Sequence, residues 1–278
     1  MKLEIRNLEK IYASRKGDVE ALTPTSFTVG AGEFVSLVGP SGCGKSTSLY
    51  MIAGLETATR GEIFLDGAAV NGPGADRGMV FQNYTLFPWL TVLQNTQFSF
   101  ELENNRDPSR STGEVMSRIG RSYCLLDLMG LKKFHHAYPR ELSGGMKQRV
   151  AIARALANEP KVLLMDEPFG ALDAQTREEM QELLLLLSRH EKMTVLFVTH
   201  DVEEAVYLST RILVFSARPG RIIADIPVPF GPDRDFNIKT TSEFVRLKRQ
   251  LLDLLHHEQR TDFDRDALLK KLVQPAHS

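Results

Sequence analysis

Gly39-Pro40-Ser41-Gly42-Cys43-Gly44-Lys45-Ser46-Thr47 is the stretch that decides the fold. It follows a strand, Glu33 to Val38, and opens a helix, Lys45 to Ala53. Both the spacing and the strand–loop–helix setting are those of a phosphate-binding loop. Glycines let backbone N–H groups turn inward around an anion with no Cβ in the way. The helix N-terminus adds positive dipole, worth about 0.3–1 kcal/mol per favourable charge at an exposed end. Lys45 supplies a point charge to the β- and γ-phosphates, and Ser46 offers a hydroxyl to Mg²⁺. The loop alone does not separate kinases, GTPases and ATPases.

On its N-terminal side, Leu3 to Tyr12 and Glu20 to Val29 read as strands joined by the polar turn Ser14 to Asp18. On its C-terminal side come two short strands, Gly61 to Asp66 and Met79 to Phe81, separated by the Gly/Pro-rich Gly67 to Gly78. From Thr91 the pattern turns helical, interrupted by a polar loop, Asn104 to Gly113. Strands and helices then alternate: Val162 to Met165, Asp173 to His190, Thr194 to Val198, Asp201 to Leu208, Ile212 to Phe215. Continuous apolar strands between helices indicate a parallel sheet buried on both faces, which Ile222 to Val228 extends. Ser242 to His257 reads as a helix with Phe244, Leu247, Leu251 and Leu254 at helical spacing, followed by a charged, weakly helical tail. The fold class expected is α/β.

Composition narrows the function classes. The chain has 278 residues, 34 Lys+Arg against 35 Asp+Glu, a net charge of -1 and 42% hydrophobic residues. A large core is possible, and wholesale disorder is not. The balance argues against nucleic-acid binding by bulk positive charge. Two cysteines, Cys43 and Cys124, make no disulfide framework and fit a reducing compartment. No apolar run is long enough to span a bilayer: the densest, Leu183 to Leu187, is five leucines between Glu182 and Ser188.

Two further segments carry chemistry. Val162-Leu163-Leu164-Met165-Asp166-Glu167-Pro168 is an apolar strand ending in two carboxylates, both placed to reach a site at its carboxyl edge. Asp166 suits a Mg²⁺ role, and Glu167 suits the orientation and deprotonation of an attacking water. Leu142-Ser143-Gly144-Gly145-Met146-Lys147-Gln148-Arg149 starts a second helix, with Ser143 as N-cap and two glycines leaving N–H groups open to an anion.

Together, the phosphate loop, Leu142 to Arg149 and Val162 to Pro168 resemble the nucleotide-binding subunit of an ATP-binding-cassette (ABC) transporter. The resemblance covers about residues 1–226, with a helical subdomain near 91–158 and a short C-terminal helical extension, 227–278. It implies a P-loop NTPase fold with a mostly parallel core, an N-terminal antiparallel part and a helical insertion. It implies that Gly39, Pro40, Ser41, Gly42, Cys43, Gly44, Lys45, Ser46 and Thr47 bind ATP, with Tyr12 stacking on adenine. Ser46, Gln82 and Asp166 hold Mg²⁺; Glu167 and His200 are catalytic, the latter touching the γ-phosphate. Ser143, Gly144, Gly145 and Met146 act on the ATP of an opposite copy, and Asp173 sits at the dimer interface. Met146 stands where the family has Gln, so the anion contacts are expected to survive without the hydrogen bond a Gln side chain adds.

Leu86-Phe87-Pro88-Trp89-Leu90 and Ser216-Ala217-Arg218-Pro219-Gly220-Arg221 look like the nitrate, taurine and alkanesulfonate importer branch. The implied protein is an ATPase working as a homodimer, or with a similar ATPase. Its implied partners are two transmembrane permease subunits and an extracytoplasmic substrate-binding protein, with no nucleic acid. It is peripheral, on the cytoplasmic face of the inner membrane. The alternatives are an efflux ABC subunit, which commonly carries a fused membrane domain, and a non-transport ABC ATPase, which needs a coiled-coil insertion, zinc modules or a basic face. Neither set of features is visible.

Weaker signals read plainly. His135-His136 and His256-His257 are adjacent, not at the i, i+4 spacing of helical metal ligands, and read as solvated. Cys124 reads as core, and Cys43 as a small residue whose thiol lies close to the nucleotide. Trp89 is either a core aromatic or part of a partner groove.

Lys45→Ala is expected to abolish ATP binding, because the cradle loses its fixed cation. Equilibrium binding of labelled ATP with Mg²⁺ checks this; unchanged affinity in a folded variant contradicts the assignment of the loop.

Overall fold

A computed structural model describes residues 2–14, 17–102, 112–231 and 233–260. β1 (Lys2–Tyr12) and β2 (Val19–Gly30) pair antiparallel. β3 (Phe34–Val38) then runs into α1 (Lys45–Ala53), and the chain returns as β4 (Arg60–Leu65) against the other edge of β1. A two-residue strand, β5 (Ala68–Ala69), closes this sheet through a tight turn. Asp66 and Gly67 both have positive φ there, 53° and 81°, as an Asp-Gly hairpin turn requires. This strand was not expected; the Asp-Gly pair was its readable signal.

β6 (Arg77–Val80) leads into the helical block α2 (Val92–Glu101), α3 (Thr112–Leu128) and α4 (Gly144–Ala157). The rest is β7 (Val162–Asp166), α5 (Ala174–His190), β8 (Thr194–Thr199), α6 (Val202–Leu208), β9 (Arg211–Phe215), β10 (Ile222–Pro227) and α7 (Ser242–Arg260). The larger sheet has the order β10-β9-β3-β8-β7-β6. Its pairs are parallel except β10 with β9. β10 therefore extends the sheet as an antiparallel edge, because a short hairpin cannot make a parallel crossover.

β3, β7 and β8 are buried along their whole length. Successive residues face opposite sides. Phe34, Leu163, Phe197 and Val214 enter the core shared with the helices, while Val35, Leu164, Val198 and Leu213 enter the core shared with α1 and the antiparallel sheet. The continuous apolar reading of these strands thus reflects two cores, one per face. α7 buries Phe244, Leu247 and Leu251.

Cys124 is exposed, contrary to expectation. On α3 the inward stripe runs through Ser122, Leu125 and Leu126, and Cys124 falls outside that helical face. Most of the expected polar loop Asn104 to Gly113 and most of the charged tail, residues 104–111 and 261–278, lie outside the described residues, as do Arg15 and Lys16 of the first turn.

Candidate functional site

Parallel register aligns the strand ends. Val38 of β3 lies beside Thr199 of β8, and Asp166 of β7 lies beside Val198. The segments leaving these ends open on one cavity of about 500 Å³. Tyr12, Ser41, Gly42, Gly44, Lys45, Ser46, Thr47, Gln82, Glu167 and His200 line it. Gly39, Pro40 and Cys43 belong to the loop but do not line the cavity.

Gly44 has φ 92°, and a Cβ there would stand 2.8 Å from the carbonyl oxygen of Ala21. The buried Lys45 bends across the loop, its Nζ donating to the carbonyls of Gly39 and Pro40, both at 2.8 Å. The Cys43 thiol points under the loop, fully buried in the core with Phe215 and Leu49. The thiol expected close to the nucleotide thus sits on the core side of the loop, 3.5 Å from Lys45 Nζ.

Asp166 is buried at the end of β7. Ser46 Oγ donates to its Oδ1 at 2.8 Å, and the Tyr50 hydroxyl donates to its Oδ2 at 2.9 Å. Burial pushes the Asp166 carboxyl up, the two donors pull it back, and the neighbouring Glu167 charge adds to the rise. Tyr50 is pushed up to about 12, first by burial and then by the Asp166 charge and hydrogen bond. The hydroxyl and carboxylate form an oxygen donor set of the kind Mg²⁺ takes, so the residues present fit that metal. Among the described residues no cluster of three or more His, Cys, Asp or Glu assembles, so no softer metal site competes.

Glu167 has φ 46°, a left-handed backbone rare for a residue with its side chain. The turn is pinned where its N–H donates to Val198 O at 2.9 Å. Glu167 Oε2 accepts from Gln82 Nε2 at 3.1 Å and lies 3.2 Å from His200 Nδ1. Three residues from three segments thus meet at one carboxylate oxygen. The buried Glu204 supports the His200 turn: Thr199 Oγ1 donates to it at 2.7 Å and accepts from Asp201 N at 3.0 Å.

Ser143, Gly144, Gly145 and Met146 do not line this cavity, and neither does Asp173. Ser143 caps α4, its Oγ accepting from Met146 N at 3.3 Å. A Cβ on Gly144 would meet the Tyr84 hydroxyl at 2.8 Å, and one on Gly145 would meet Leu172 at 3.2 Å. Met146 packs its side chain against the helical core. Asp173 caps α5, accepting from Thr176 N at 3.0 Å, and that backbone bond holds its carboxyl below the usual range. Trp89 is 68% exposed beside Phe87, so it is not a core aromatic. His135 is half-buried, edge-on to Tyr123, because its ring covers the end of α3; it is not the solvated side chain expected.

Sequence reasoning missed Tyr50, Glu204 and Arg218. Tyr50 is one helical turn beyond Ser46, the i, i+4 spacing that puts both on one face, and that was an available signal. Arg218 lines the cavity, its Nε donating to Gly42 O at 3.2 Å. It is carried by the β9–β10 hairpin, which is bolted to β2: Gly220 N donates to Ala21 O at 3.1 Å, and Thr23 N donates to Gly220 O at 3.0 Å. No local pattern announces a contact across that much sequence.

The sequence profile of the ABC transporter family matches residues 22–170. The nitrate import ATP-binding protein NrtD of Synechocystis sp. is 48% identical over 92% of this chain and 95% of its own length. The aliphatic sulfonates import ATP-binding protein SsuB of Bacillus thuringiensis is 41% identical over 92% of this chain and 97% of its own. A dimeric bacterial ABC transporter cassette is 35% identical, with TM-score 0.72, covering 82% of this chain and all of that one. The same cassette in a post-hydrolysis state bound to ADP and Pi gives TM-score 0.71 at 34% identity.

Gly220 supplies a local test of the cavity wall. A Cβ at this position would stand 1.8 Å from the Cys43 carbonyl oxygen, so Gly220→Ala must push the hairpin off the phosphate loop. Overpacking of this kind costs about 1–3 kcal/mol. Chemical denaturation is expected to show that loss, and ATP titration a weaker affinity; wild-type values in both contradict the described packing.

Proposed function

Because the chain belongs to the ABC transporter family, we propose that it is the ATP-hydrolysing subunit of an importer for a small anion of the nitrate or sulfonate type. The meeting of Gln82 and His200 on Glu167 Oε2 carries the hydrolytic part of the reading. A carboxylate held at a strained turn, on the rim of a cavity with a phosphate loop, is placed to take a proton from water. The water oxygen bonds to the γ-phosphorus as the bond to the β-phosphate oxygen breaks, giving ADP and phosphate. Gln82 orients the carboxylate, and His200, largely exposed at the cavity mouth, is placed for the γ-phosphate. Lys45 and the loop amides hold the β- and γ-phosphates, and Tyr12 stacks on adenine. Ser46, Asp166 and Gln82 would hold a Mg²⁺ ion, which would supply charge neutralisation to the phosphates when bound.

Two copies complete the site. Ser143, Gly144, Gly145 and Met146 lie away from their own chain's cavity, which supports their acting on the ATP of an opposite copy, with Asp173 at the contact between copies. The chain works with two transmembrane permease subunits and an extracytoplasmic substrate-binding protein, on the cytoplasmic face of the membrane. Among the described residues no helix is long and apolar enough to cross a membrane, in keeping with membrane crossing by separate subunits. The high identity to relatives named for nitrate and for aliphatic sulfonate import supports the small-anion substrate class.

Glu167→Gln keeps the shape and removes the proton acceptor. A positioned general base contributes about 10²–10⁴ in rate, or about 3–5 kcal/mol of barrier. The variant is expected to bind ATP at least as well as wild type, nearly lose phosphate release, and run as a dimer with ATP in size-exclusion chromatography. Asp166→Asn is expected to lose nucleotide affinity as well. Hydrolysis by Glu167→Gln within a few-fold of wild type places the base elsewhere.

A further inference from the structure

Asp166 has two oxygens, and each is held by a different hydroxyl of α1. Ser46 belongs to the phosphate loop; Tyr50 lies outside every motif the chain carries. Its phenol reaches Oδ2 at 2.9 Å, on the far side of the carboxylate from the Ser46 contact. Its own orientation is fixed in turn, because its ring packs on Phe81, centroids 6.1 Å apart and planes tilted by 47°. Phe81 immediately precedes Gln82, whose amide holds Glu167. The side chain therefore stands between the metal-binding carboxylate and the strand end that carries Gln82.

We propose that Tyr50 is a positioning residue for the metal site: its hydroxyl locks the plane of the Asp166 carboxylate so that Oδ1 stays beside Ser46 Oγ. The inference rests on the ATPase reading and adds the group that pre-orients its metal ligand. A carboxylate at the end of a side chain rotates unless both oxygens are anchored, and a hydrogen bond from a neutral donor to a charged acceptor is a strong anchor. Partners of this kind set ligand orientation, and removing one typically costs about 10–100-fold in metal affinity. Tyr50 does not line the cavity, and its hydroxyl reaches the site through Asp166.

The test is Tyr50→Phe, which keeps the ring on Phe81 and deletes the hydroxyl, with Tyr50→Leu as the variant that removes the ring as well. Fluorescent ATP is titrated against the full chain in EDTA and across a Mg²⁺ series, alongside thermal melts. Tyr50→Phe is expected to raise the Mg²⁺ concentration that half-maximally enhances ATP affinity by about tenfold, the low end of that range. Affinity in EDTA should stay at the wild-type value, and the melting temperature should fall less than in Tyr50→Leu, because only the one hydrogen bond to Asp166 is lost. Tyr50→Leu is expected to show the same Mg²⁺ shift together with a lower melting temperature. A Tyr50→Phe variant that matches wild type throughout, or that loses affinity equally with and without Mg²⁺, overturns the inference while leaving the ATPase reading intact. Wild-type chain with no Mg²⁺-dependent ATP binding overturns the ATPase reading and the inference with it.

Discussion

The register of three buried parallel strands is the constraint on which the site depends. Val38 beside Thr199 and Asp166 beside Val198 bring β3, β7 and β8 to an end at one level. The phosphate loop, Glu167 and His200 then leave the sheet side by side. This register cannot slip. Moving a strand by one residue sends every side chain to the opposite face, and here both faces are packed. Leu164 and Met165, or Leu196 and Phe197, would trade a core against helices for a core against the antiparallel sheet. The fold thus fixes the level of the strand ends by apolar packing on both faces, and hydrogen bonds such as Glu167 N–H to Val198 and Ser46 to Asp166 set the segments that leave them.

That edge gathers charge of both signs within one cavity. Asp166 and Glu167 are adjacent, and burial with mutual repulsion raises Asp166. Lys45 is buried nearby, its ammonium held by the Gly39 and Pro40 carbonyls and the Cys43 sulfur and by no carboxylate at salt-bridge distance among the described residues. Glu167 is turned into the cavity by a left-handed backbone that a non-glycine residue adopts only when its surroundings enforce it. Here the enforcing contact is the bond from its N–H to Val198, again a product of strand alignment. Ser143 and Asp173, by contrast, cap helices and do not line the cavity.

Much of this was legible in the sequence because its signals are local. The phosphate loop, the acid pair and the Ser143 cap each need only their neighbours in the chain, and the apolar strands show their double burial by continuity. The direction of β10 was legible too, from the shortness of the turn at Pro219, but it was read as a plain extension. What stayed hidden depends on contacts across the chain. Arg218 reaches Gly42 from a distant hairpin. Cys43 could face the nucleotide or the core, and only packing beneath the loop decides. Cys124 lies one position off the inward stripe of α3, a difference that composition cannot resolve. Tyr50 was within reach of helical periodicity, but its partner, Asp166, comes from another element.

The central claim is that a complete site takes the phosphate loop of one copy and the Ser143 helix of another. Cysteine cross-linking between Ser41→Cys and Ser143→Cys, in a Cys124→Ser background, tests this most directly, with dimers counted on non-reducing gels. The account predicts covalent dimers that form with ATP and Glu167→Gln and do not form without nucleotide. Monomers under both conditions, in a chain that still binds ATP, would contradict it.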